Sequence, residues 1–168
     1  MTPSERVLVL LNLHGVPKPI YRAYELLHHL GTERLSVAGA HETVDAWVVR
    51  DGRSATVLLT DHAQPRAEIA RQRVEVSLTS AQAPTGAYIE RIDEDHANAP
   101  RPCQAMGDPE YLSPQQVEQL QAASRLAKKP LEFGYQEGRI RLEVDLPPHA
   151  VAAITLAFPA EFLGKVRP

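Results

Sequence analysis

The chain has one cysteine, Cys103, in 168 residues. A single thiol closes no internal disulfide and supplies no cysteine-rich zinc site. Aromatic residues make up only 5%, too few for a groove lined by several rings. No apolar run approaches the roughly 18 residues that a membrane-spanning helix needs, and the longest, Val7 to Leu11, is of strand length. The opening MTPSER lacks the basic start and apolar middle of a secretion signal. Positive charge is not in excess, because 18 Lys and Arg stand against 21 Asp and Glu, a formal net charge of −3. Neither nucleic acid nor a membrane is therefore an expected partner. The lack of disulfides leans toward the cytoplasm. No nucleophile elbow G-x-S-x-G, no P-loop and no G-x-G-x-x-G is present, so no cofactor is expected.

What the chain does have is a succession of short apolar runs punctuated by Gly, Asp and 14 prolines. Arg6 to Leu13 reads RVLVLLNL without alternation, as a strand covered on both faces would. Pro19 suits a first helical turn, and Ile20, Ala23, Tyr24, Leu27 and Leu30 recur at three and four, one face of a helix stopped by Gly31. From there the period becomes two. Leu35 to Val37, Val44 to Val49, Ala55 to Leu59, Val74 to Leu78, Ala87 to Ile92, Ile140 to Leu146 and Val151 to Phe158 read as short strands, with Asp51-Gly52 as a hairpin turn. The expected fold is mainly β: an antiparallel β-sandwich with an N-terminal βα segment over residues 1–31 and the sandwich over 32–168. An insertion at 93–131 interrupts it. Its first half reads as an ordered loop, and its second as a helix with Ser113 as N-cap, Pro114 at the first position, a stripe of Val117, Leu120, Ala123 and Leu126, and Pro130 as its stop.

The densest polar cluster is Asp93, Asp95, His96 and Asn98. A calcium loop of the EF-hand type needs Gly at its sixth position and Glu at its twelfth. Here those positions are Asn98 and Gln104, and the fifth is Ala97, so no metal is expected. The plainer reading is a turn whose side chains bond local backbone. His28 and His29 are adjacent on a helix and point apart, while His14 and His149 have no partner near in sequence. Glu25, Glu33, Asp45, Glu90 and Glu143 fall on charged faces, and no pair stands out as the two carboxylates of a glycosidase. Trp47 and Tyr88 lie in strands, where core packing is the expected fate.

Three stretches resemble one family. LLNLHGVPKPIYRAYELLHHLG (Leu10 to Gly31), YIERIDEDHANAPRPCQAMGDPEYLSPQQVEQLQAAS (Tyr88 to Ser124) and RLEVDLPPHAVAAITL (Arg141 to Leu156) are similar to the C-terminal region of family 39 glycoside hydrolases, the β-xylosidases and α-L-iduronidases. The resemblance implies that residues 1–31 correspond to the last strand and eighth helix of a (β/α)8 barrel, and the rest to the β-sandwich beside it. The middle stretch departs from the family in carrying Cys103 where relatives tend to have an aromatic residue. The family's retaining mechanism uses two glutamates on barrel strands four and seven, which would precede residue 1, so no catalytic residue is carried over. The resemblance thus implies a non-catalytic, scaffolding portion of a β-xylosidase-like enzyme, with Asp93, Asp95, His96 and Asn98 as a loop presented near the sugar cleft. Its partner would be the barrel of the same or a related protein, acting on xylo-oligosaccharide or another glycan. The alternative is a self-sufficient module binding a glycan or a protein. The first reading alone implies that Val7 to Leu13 and the helix Ile20 to Leu30 have lost neighbours and need cover, from the sandwich, from each other, or from a second chain in a homodimer through residues 7–30.

Overall fold

The alternation along residues 139–146 is realised in full: Ile140, Leu142, Val144 and Leu146 are buried, and Arg139, Arg141, Glu143 and Asp145 are exposed. The computed structural model describes residues 10–64 and 67–159. In chain order its elements are α1 (Pro19–His28), β1 (Glu33–Leu35), β2 (Val44–Asp51), β3 (Ser54–Asp61), β4 (Gln72–Thr79), β5 (Gly86–Ile92), α2 (Pro100–Ala105), α3 (Pro114–Ala123), β6 (Lys129–Pro130), β7 (Gly134–Gln136), β8 (Arg139–Leu146) and β9 (Val151–Ala157). Six strands form one sheet in the order β1-β2-β3-β9-β5-β6, and three form a second in the order β4-β8-β7. Every pairing is antiparallel, and the expected β-sandwich is the architecture found.

The buried face of β8 meets Ala55, Val57 and Leu59 of β3 and Ala152, Ile154 and Leu156 of β9 in one core between the sheets. The central strands β3 and β9 are covered on their other face too, where Leu58 and Ala153 pack with Ile92, Ala97 and Leu26 of α1. That double burial explains why Ala55 to Leu59 is apolar nearly throughout, while β4 and β8 alternate. Gly52, in the left-handed region at φ +50°, closes the β2–β3 hairpin, as the Asp-Gly dipeptide predicts.

Several expectations are corrected. Part of the strand read over 6–13 lies outside the described residues, and its remainder, Leu10 to Leu13, forms no strand. Asn12 instead builds a turn, its Oδ1 accepting from the backbone N–H of His14 and of Val16 at 2.9 Å, with a lone bridge between Leu11 and Pro17. Asn side chains compete in this way with extended pairing. The helix α1 starts at Pro19 as expected but ends at His28, with His29 as C-cap in right-handed geometry. Gly31 has a different job: a Cβ there would lie 2.3 Å from the Arg50 carbonyl oxygen, so its bareness lets the chain pass against β2.

The face of α1 that packs inward matches only part of the one the spacing selects. Leu26 is buried, with Ala23 and Leu30 beside it, whereas Ile20, Tyr24 and Leu27 are exposed. The helix carries two apolar stripes and the sheet covers one. In the insertion, Ser113 caps α3 through a capping box with Gln116, but α3 ends at Ala123 and Pro130 lies in β6. The segment read as an ordered loop holds the short helix α2, with Pro100 in its first turn.

Candidate functional site

Asp93 follows β5 directly and reverses the chain, its N–H donating to the His96 carbonyl at 3.1 Å. Its carboxylate is nearly sealed from solvent, with 3% of the side chain exposed. Oδ1 accepts from the Asp95 N–H at 2.8 Å, and Oδ1 and Oδ2 lie 2.8 and 3.0 Å from Nδ1 of His96. Asn98 Nδ2 donates to the carbonyls of Asp93 at 3.1 Å and Glu94 at 3.4 Å. Arg101 donates to Asp95. The structure therefore brings Asp93, Asp95, His96 and Asn98 together in one turn, bonded chiefly to one another and to local backbone. Ala97 sits at its centre, buried, with φ +51°.

Three side chains that sequence reasoning missed complete this region. Nζ of Lys129, on the edge strand β6, lies 3.1 Å from Nε2 of His96. With Asp93 accepting from Nδ1–H, the remaining ring nitrogen presents its lone pair to the lysine. Arg91, Arg125 and Lys129 line a cavity of about 200 Å³ together with Asp95 and His96. No spacing signal joins Lys129 to His96, because the contact is made by the pairing of β5 with β6 at Ile89 and Lys129.

The other candidates are scattered. His14, His28, His29 and His149 are exposed, and only the adjacent His28 and His29 have their rings near each other, 5.6 Å between centres. Glu25 pairs with Arg22 at 2.6 Å, Glu33 with Arg50 at 2.7 Å, and Glu143 with Arg73. Among the described residues no three His, Cys, Asp or Glu side chains are placed to share a metal ion. Trp47 is not a core residue: it is 49% exposed, and the Arg34 guanidinium stacks 4.5 Å from its ring centre. Tyr88 is half-buried beside Lys128, whose Nζ lies 4.8 Å from the ring. Burial pushes the Cys103 thiol up, with the charge and hydrogen bonding of Asp108 adding to the effect, the opposite of an activated nucleophile.

Fold and site together define an antiparallel β-sandwich with a helical flank and a self-bonded polar turn at the end of a central pairing. The family model of glycosyl hydrolases family 39 matches residues 6–139, and the chain belongs to that family. It is 34% identical over 150 residues to a β-xylosidase of Caldicellulosiruptor saccharolyticus, a match covering 88% of this chain and 31% of that protein. Among solved structures, the family 39 enzyme of Xanthomonas axonopodis pv. citri aligns with a TM-score of 0.71 at 22% identity, over 89% of this chain and 32% of the other. A monomeric β-xylosidase from Caulobacter crescentus CB15 gives 0.69 at 23%, over 89% and 32%. The chain thus spans about a third of the length of the relatives it matches.

Proposed function

We propose that this chain is the non-catalytic sandwich portion of a family 39 glycoside hydrolase, supporting a catalytic (β/α)8 barrel of the same or a related protein. In this reading residues 1–31 belong structurally to the barrel's end and 32–168 form the supporting sandwich. Hydrolysis of a β-xyloside or related glycan is carried by glutamates of the barrel.

One observation carries the reading. Of the eleven large apolar residues exposed among the described residues, seven lie between positions 10 and 27: Leu10, Leu11, Leu13, Ile20, Tyr21, Tyr24 and Leu27. Covering a large apolar side chain is worth about 1.5–3 kcal/mol, so a patch of this kind marks a surface meant for a partner. The shortfall in length against the relatives supports the barrel as that partner. Glu25, Glu33 and Glu143, each held in an ion pair with an arginine, are in keeping with catalysis lying elsewhere.

The test has two arms. An antibody against this chain is expected to reveal, in its source cells, a species several times heavier than the chain or one that co-purifies with a barrel. The purified chain is expected to bind a hydrophobic dye or self-associate, and Ile20→Glu with Leu27→Glu is expected to suppress this without lowering Tm. A free species of the chain's own mass, monomeric and blind to the dye, overturns the proposal. So does hydrolysis of an aryl β-xyloside by the purified chain that is lost on changing one of its own acids.

A further inference from the structure

The cavity beside His96 has an unbalanced charge. It lies between the end of β5, the last turn of α3 and the segment leading into β6, and holds about 200 Å³. Arg91, Arg125 and Lys129 line it, with Asp95 as the one carboxylate. Asp95 is already engaged by Arg101, which lies outside the lining. Among the described residues, none of the three cations has a carboxylate partner.

Each of the three keeps donors free. Arg91 donates from one Nη to the Asp145 carbonyl at 3.1 Å, which anchors the side chain and leaves its other N–H groups unused. The Arg125 side chain makes no hydrogen bond or ion pair among the described residues. Nζ of Lys129 lies 3.1 Å from Nε2 of His96, whose Nδ1 faces the buried carboxylate of Asp93 at 2.8 Å. An ammonium that gives one of its three N–H donors to a neighbour keeps two.

Most of the carbonyls closing α3 are taken: Leu120 by the Ser124 N–H, Ala122 by the Arg125 N–H, Gln121 by the Ser124 hydroxyl and Ser124 by Arg22. What remains is a small concavity whose lining combines apolar Ala97, Ala122, Ala123 and Ala127 with three cations. The complement to two guanidinium groups and an ammonium lining one cavity is an oxyanion, because guanidinium matches carboxylate and phosphate geometry with paired N–H donors.

We infer that this cavity binds a small oxyanion, a carboxylate or phosphate group carried by a molecule of about monosaccharide size, between Arg91, Arg125 and Lys129. The inference does not depend on where catalysis lies, since it concerns only side chains described here. Neutral sugars are excluded from tight binding because they leave the cations unpaired.

The experiment is a titration of the full chain, labelled with ¹⁵N, with inorganic phosphate, glucuronate and xylose at fixed ionic strength. Phosphate and glucuronate are expected to shift the amides of Arg91, His96 and residues 123–129 saturably, and xylose to leave them unmoved. If phosphate alone acts, the site takes phosphate esters; if glucuronate binds more tightly, it takes acidic sugars. Arg125→Met and Lys129→Met, both at exposed positions, are each expected to weaken binding about tenfold with an unchanged far-ultraviolet spectrum. His96→Gln is expected to weaken it less, as a positioning residue. Shifts that fail to saturate, that spread over all basic residues, or that survive both substitutions overturn the proposal, as does equal binding of xylose.

Discussion

Arg22 of α1 donates through Nε to the carbonyl oxygen of Ser124 at 2.6 Å and through an Nη to its hydroxyl at 3.3 Å. Ser124 is fully buried, and it caps the end of α3. One guanidinium therefore fastens the N-terminal helix to the inserted one across 102 residues of sequence, while Glu25 pairs with its remaining Nη at 2.6 Å. Hydrogen bonds from a charged donor contribute about 1.5–3 kcal/mol. Arg22→Met is expected to cost that much in urea denaturation. Hydrogen exchange should accelerate in α1 and in the last turn of α3, and not in β8. Uniform acceleration over both sheets would show that the contact is incidental.

Gly31 makes a second, purely steric prediction. Its place against the Arg50 carbonyl admits no side chain, since an added Cβ would sit 2.3 Å from that oxygen and 2.8 Å from Cβ of Asp51. Backbone cannot yield as a flexible side chain can. Gly31→Ala is expected to destabilise by about 1–3 kcal/mol, the range of overpacked sites, and to loosen the β1–β2 pairing. A Tm equal to the parent's would mean that the loop after α1 shifts freely.

The elements with strong local signals were legible from residues alone. Ile140 to Leu146 alternates without a fault, and Ser113 and Pro114 announce the start of α3 before any packing is known. Two kinds of feature were not. Strands β6 and β7 are two and three residues long and borrow their extended form from β5 and β8. The inward stripe of α1 was misread because Leu26 and Leu27 each complete an apolar row, and only the sheet beneath decides between them. At the polar turn, the residues Asp93 to Asn98 were legible because they are contiguous. Lys129 and Arg125 were not, because only the folding of the insertion brings them back to His96.

Cys103 allows a prediction about reactivity and pH. Burial raises its pKa above the ordinary 9.0, and the charge and hydrogen bonding of Asp108 raise it further. At pH 8 the folded chain is expected to react with iodoacetamide more slowly than a free thiol does, and Asp108→Asn to speed the reaction. The sign for stability follows from linkage: the folded state holds its proton to higher pH than the unfolded state. Its contribution is present below pH 9.0 and lost as pH rises through the raised value. Alkylation at the rate of a free cysteine would place Cys103 in solvent and contradict this.

Asp61 gives the sharpest test of the core. It closes β3 on the face that carries Val57 and Leu59, it is 0% exposed, and its N–H donates to the Ala150 carbonyl at 3.0 Å. Neither carboxylate oxygen has a hydrogen-bond partner among the described residues. An ion removed from water without a partner costs on the order of several kcal/mol, and a neutral amide of the same shape costs less. Asp61→Asn is therefore expected to raise stability by about 1–3 kcal/mol, read as a higher urea midpoint with an unchanged slope. Asp61→Ala separates charge from shape, since it removes the buried polar group altogether and leaves a small void. Both variants should exceed the parent if the carboxylate stands unpaired in solution. If both fall below it, the carboxylate is bound by water or a cation at that position, and the end of β3 is held by that contact instead of by apolar packing alone.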